Sequence, residues 1–106
     1  MAWIQLLIAG LLEVVWALAM KQSHGFTRLV PSAITLLAMV ASVVLLSFAM
    51  RSLPLGTAYT IWTGIGAVGA FVVGIVFLGE HLSAGRFMAA VLIVSGMVLM
   101  KLTSPD

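Results

Sequence analysis

Long apolar runs, broken by single charged residues, organise this chain. Ala2 to Met20 is apolar apart from Gln5 and Glu13, Val30 to Met50 contains no charge, and Ser52 to Gly79 contains none either. A helix crosses a bilayer with roughly 20 apolar residues, about 17–25 being the working range. Each run therefore predicts one span, the third long enough to tilt or kink. A fourth, shorter run lies between Arg86 and Lys101, and it spans if both cations reach outward along their aliphatic stems. The expected spans are 2–20, 30–50, 54–78 and 84–102, in one four-helix transmembrane domain covering 1–106.

The connections around 21–29, 51–53 and 80–83 are short, so successive helices are expected as antiparallel neighbours. Pro31 and Pro54 each open an apolar run, where the missing N–H of proline is harmless. The pattern leaves no room for an extramembrane domain or a low-complexity tail. The first run lacks a basic leader and is interrupted by Glu13, so it is expected to be retained as a helix and not removed as a signal peptide.

Composition narrows the class. The chain is 63% hydrophobic and 8% charged, against roughly 45–50% and about 25% in soluble domains. That excludes soluble enzymes, nucleic-acid binders and disordered tails, because so much apolar surface cannot be kept from water. The net charge of +2 comes from scattered residues and forms no basic patch. Without cysteine there is no disulfide, thiolate metal site or thiol nucleophile. His24 and His81 sit in loops without partners at metal-ligand spacing. No metal, no cofactor and no catalytic nucleophile with its base is expected; the chain does not read as an enzyme.

Orientation is finely balanced. Four spans place Arg51 and Lys101 on one side and Lys21, Arg28 and Arg86 on the other, although a clear excess normally sets topology. Either the one extra charge fixes the orientation, or the chain inserts both ways and pairs with an inverted copy of itself. The second arrangement gives a dimer the symmetry that many transporters obtain from inverted repeats.

Glu13 is the only acid inside a span; Glu80 and Asp106 fall in a loop and at the tail. An ionisable side chain at that depth costs at least about 2.5 kcal/mol and usually serves function; the alternative is a protonated carboxyl that glues helices together. Gly10, Glu13, Ala17 and Met20 share a helix face, with Trp16 one turn from the acid. In the third span Gly56, Tyr59, Trp62, Thr63 and Gly66 line one broad face. Indole and phenol rings attract cations through their faces and orient carboxylates through N–H and O–H groups. Trp3 fits an interfacial belt, whereas Trp62 lies well inside its run. Ser42, near the centre of the second span, is placed to donate to a carboxylate or to bond its own backbone. Gly66, Ala70 and Gly74 form a small-residue stripe suited to close helix contact, and Gly64 with Gly66 marks a possible bend. Ala89, Ala90, Ile93, Gly96 and Met97 form a similar face in the fourth span.

Together these residues resemble the small multidrug resistance family over essentially the whole chain. Glu13-Val14-Val15-Trp16 is similar to the family's proton- and cation-binding glutamate segment, and Lys21 with Gly25-Phe26-Thr27-Arg28 to its first loop. Leu53-Pro54-Leu55-Gly56-Thr57-Ala58-Tyr59-Thr60-Ile61-Trp62-Thr63-Gly64-Ile65-Gly66 resembles its long third-helix signature. Trp16 and Lys101 resemble the guanidinium-exporter subtype; quaternary-ammonium exporters usually carry glycine at the position of Trp16. Thr60, and Leu99-Met100 before Lys101, depart from the common pattern.

The resemblance implies an antiparallel, dual-topology homodimer in the bacterial inner membrane. Its central pocket would be formed by both copies of Glu13 and walled by Gly10, Trp16, Ser42, Tyr59 and Trp62. It also implies export of guanidinium-type cations in exchange for protons, the two competing for the same carboxylates. The alternatives are a broad quaternary-ammonium exporter and a non-transporting or pore-forming membrane peptide. The partners expected are guanidinium-type cations, protons, a second copy of the chain and the lipid bilayer, with no nucleic acid.

Overall fold

The computed structural model describes residues 2–103; Asp106 lies outside them. They fold as α1 (Ala2–Gln22), α2 (Leu29–Ala49), α3 (Leu55–Leu78) and α4 (Ala84–Leu102), with no strand among the described residues. All four helices are long and apolar enough to cross a membrane.

Local chemistry sets the helix ends. Pro54, with φ −59° and ψ 151°, precedes α3 in an extended conformation and places its missing N–H where no helical bond is needed. Gly79 ends α3 in the left-handed region, at φ 68°, which costs a residue without Cβ little. The Gly79 N–H donates to the Gly74 carbonyl, and the turn brings the Glu80 N–H back to the same acceptor at 3.0 Å. Ser83 caps α4, its hydroxyl accepting from the Arg86 N–H at 3.2 Å.

The first connection is a tied turn. His24, Gly25 and Phe26 are all left-handed, at φ 50°, 74° and 67°, a run that strains the two residues bearing a Cβ. Buried Ser23 holds it: its hydroxyl donates to the Met20 carbonyl at 2.6 Å and accepts from the Phe26 N–H at 3.0 Å.

α1 packs broadly against both α2 and α3, while α2 and α3 touch only slightly and the α4 backbone approaches α3 alone. The expectation that successive helices are neighbours therefore fails for α2 and α3. They meet only over the two turns nearest their connection, as far as Ser42 and Trp62, and α1 fills the space beside the rest. The result is a slab of 43 × 34 × 16 Å, long enough for a hydrocarbon layer of about 30 Å.

The tightest packing is at the end holding the second connection. There Leu6 and Ala9 of α1, Leu46 and Ala49 of α2, Leu53, and Ala58, Ile61 and Trp62 of α3 form one cluster. Three alanines in it let helix backbones approach, which matters where lipid gives helices no hydrophobic reason to associate. α4 has no buried residue; Met97 fastens it by lying against Gly64, where a Cβ would clash. The cationic heads of Arg86 and Lys101 lie over the rings of Phe71 and Trp3, 5.2 and 4.2 Å from their centroids, so both fold back onto aromatic faces.

Gly79→Ala is expected to lower stability by about 1–2 kcal/mol, the cost of left-handed backbone for a residue with Cβ. Gly85→Ala, also in open space but helical, is expected to be neutral or slightly stabilising. Thermal melts of both variants in detergent, followed by circular dichroism, check the contrast.

Candidate functional site

Glu13 projects from the middle of α1 toward α3. A Cβ added at Gly66 would fall on its Oε1 and Cδ atoms, so the carboxylate lies directly against bare α3 backbone. Oε1 is buried and has no hydrogen-bond partner among the described residues, and the same holds for Trp16 Nε1 one turn later. Buried polar atoms without partners are uncommon and costly, about 1–3 kcal/mol each. An acceptor and, one turn later on the same helix, a donor are thus left without a partner among the described residues.

A second polar group sits one turn toward the start of α1. The Ser42 hydroxyl donates to the Ala9 carbonyl at 2.6 Å and accepts from the Trp62 indole N–H at 2.9 Å. The three residues come from α2, α1 and α3, so this short chain of bonds pins the three helices to one another. Ser42 and Trp62 are both buried. The sequence left Ser42 to donate to the carboxylate or to its own helix backbone; within one copy of the chain its single proton goes to the Ala9 carbonyl of α1 instead. The Trp62 N–H likewise goes to Ser42 and not to Glu13. Tyr59 stacks at a tilt on Trp62, with centroids 5.5 Å apart. It lines a cleft of about 480 Å³ between α3 and α4, together with Thr63 and Gly96.

The small residues divide by task. Gly10 makes room for Ile65 of α3, Gly66 for the Glu13 carboxylate, and Gly64 for Met97 of α4. Gly96 faces open space, where an added Cβ would meet nothing within 4 Å. Gly74 makes room for the carboxylate of Glu80, and Ala70 lines a cleft of about 180 Å³ between α1 and α3. The Gly66, Ala70, Gly74 stripe therefore seats two acids and walls the cleft.

Sequence reasoning passed over Glu80. It pairs with Lys21 at 3.2 Å, linking the end of α1 to the connection after α3. The available signal was Gly79: a left-handed glycine at a helix end turns the next residue back toward the last turn, and Gly74 is the small residue waiting there.

With this geometry in place, comparison with known proteins is decisive. The family model described as Small Multidrug Resistance protein matches residues 1–94. The chain belongs to this family. Among curated relatives, a protein named Guanidinium exporter from Yersinia pseudotuberculosis serotype I is 62% identical over 104 residues, 98% of this chain and 100% of its own length. Proteins of the same name from Citrobacter freundii and Salmonella typhimurium are 60% and 61% identical over 104 residues, each covering 98% of this chain and 99% of the relative. With four helices of spanning length, this member of the small multidrug resistance family is a multi-pass protein of the bacterial inner membrane.

Gly66→Ala is expected to push the Glu13 carboxylate off its seat, because the new methyl would occupy the carboxylate's position. Losing the geometry of one charged hydrogen bond costs about 1.5–3 kcal/mol. Any cation binding carried by Glu13 should therefore weaken about tenfold or more, as titration calorimetry of the purified protein would detect.

Proposed function

We propose that this protein is a proton-coupled antiporter that exports guanidinium and small guanidinyl cations. Glu13 is the residue on which protons and substrate compete. The observation that carries this reading is the Glu13 carboxylate itself: inside the spans, seated on Gly66, with a buried oxygen that no donor among the described residues engages. The name carried by relatives about 60% identical points to the same class of substrate.

A guanidinium ion is planar and offers parallel N–H donors that match the two oxygens of a carboxylate. The Trp16 ring, one turn away, supplies a wall with a negative face and leaves little room for bulky tetraalkyl cations. The reading places two inverted copies of the chain together, bringing both Glu13 side chains into one pocket walled also by Gly10, Ser42, Tyr59 and Trp62. Such a pair titrates as one coupled unit. If the protein changes its facing only when the acids are occupied, each change carries either protons or substrate, and the proton gradient drives export without any other energy source. Nothing in this scheme makes or breaks a covalent bond, which separates it from an enzyme. Ser42 and Trp62 serve it as the brace that fixes the helices around Glu13, and Lys101 as a residue shared with the guanidinium-exporting subtype.

Competition sets the sign of the pH dependence. Falling pH fills the carboxylates with protons, so guanidinium affinity should decrease as pH falls and level off once the acids are free. Adding guanidinium to the purified protein in weakly buffered detergent should release protons, and Glu13→Gln should release none. Release that persists in Glu13→Gln would overturn the assignment of the site. Release by tetraphenylphosphonium in place of guanidinium would transfer the protein to the multidrug branch of its family.

A further inference from the structure

Glu80 and its surroundings take no part in the scheme above, yet they repeat its construction. Glu13 lies on Gly66 and Glu80 on Gly74, two glycines of one α3 face, about 12 Å apart at 1.5 Å per residue. Between them runs the cleft of about 180 Å³, walled by Val14, Ala17, Ala70 and Val73 and ending at Lys21 and Glu80. Val14 and Ala17 follow Glu13 by one and four positions on α1, and Ala70 lies one turn beyond Gly66. The cleft therefore begins within a turn of the inner acid, which does not itself line it, and ends at the outer one.

The two members of the outer pair are held very differently. Glu80 is fixed by its own backbone: Gly79 turns the chain, and the Glu80 N–H is tied to the Gly74 carbonyl at 3.0 Å. Its carboxylate rests against Gly74, where a Cβ would collide with it. Lys21 meets it at 3.2 Å through a long stem in the last turn of α1, with 61% of its side chain exposed. A fixed anion therefore carries a mobile, single-point cation at the mouth of an apolar cleft. Exposed pairs of this kind hold weakly, and a planar cation offering two parallel donors fits a carboxylate better than an ammonium does.

We propose that Glu80 is an outer binding site for guanidinium-class cations, occupied by the Lys21 ammonium when no such cation is present. The site is a staging point: a cation exchanges with Lys21 at Glu80 and reaches Glu13 along the α1–α3 cleft. This inference rests on the transport reading above and adds to it a second acid and a resident competitor.

A mere structural clasp makes a different prediction. If Lys21 and Glu80 only hold α1 to the loop, removing either one breaks the same bond and shifts transport in the same direction. If Glu80 binds the cation and Lys21 competes for it, the two removals act in opposite directions. The test is guanidinium uptake into proteoliposomes at low ionic strength by wild type, Glu80→Gln, Lys21→Gln and the double variant, with proton release measured on each preparation.

Glu80→Gln should raise KM for guanidinium about two- to fivefold, and Lys21→Gln should lower it by a similar factor, the range that exposed pairs allow. Maximal rate should be nearly unchanged in both. In the double variant the Lys21 effect should disappear, because the acid it competes for is gone. Equal shifts in one direction would reduce the pair to a clasp. A Lys21 effect that survives without Glu80 would reduce it to general charge repulsion at the cleft mouth. Absence of guanidinium-linked proton release from wild type would instead remove the transport reading itself, so the two failures remain separate.

Discussion

A carboxylate in the hydrocarbon layer has to be given a place, and in this chain the place is a patch of bare backbone. Any side chain at position 66 would occupy the volume it needs. Much of the arrangement follows from that requirement. Gly66 must face α1, which sets the rotation of α3. Gly10 must admit Ile65 so that the two helices approach closely enough for the seat to be useful. The Ser42 hydroxyl then locks the approach by joining the Ala9 carbonyl to the Trp62 indole.

The brace and the seat show two ways of handling polarity without water. In the brace every donor finds an acceptor: hydroxyl to carbonyl, indole to hydroxyl. A satisfied set of this kind specifies one packing of three helices and leaves little to react. At the seat the opposite holds, with a buried carboxylate oxygen and an indole N–H that no described residue pairs. Placing the closed set within a turn or so of the open one keeps the reactive group in register while leaving its valences for something else.

Much of the fold could be read in the sequence because its dominant constraint is one-dimensional. Apolar runs of spanning length, bounded by Lys21, Arg51 and Arg86, mark four helices before any contact is known. Glu13 stands out for the same reason: it is the one acid inside a run. What the sequence did not disclose is which element lies beside which. The short link at 50–54 promised α2 against α3 along their length, yet they meet only near the linked ends and both pack mainly on α1, because a short link constrains only the part of each helix beside it. The glycines were similarly legible as small and illegible as to purpose. Gly64 and Gly66 are two positions apart on α3 but serve different helices, one receiving Met97 of α4 and the other Glu13 of α1. Ser42 was recognised as a donor near the centre; its proton went to a backbone carbonyl that no pattern of side chains advertises.

The uneven distribution of packing along the slab has a mechanical consequence. At the end of the second connection, α1, α2 and α3 share a close cluster rich in alanine. At the opposite end, α1 and α3 are separated by a cleft and bridged by one exposed ion pair. A pair of rods clamped at one end and lightly tied at the other moves as a lever: small rotations at the clamp become large displacements at the tie. Glu13 sits partway along that lever arm, where it can be uncovered by a modest swing of α1 against α3 while the clamped end, and the brace beside it, stays closed.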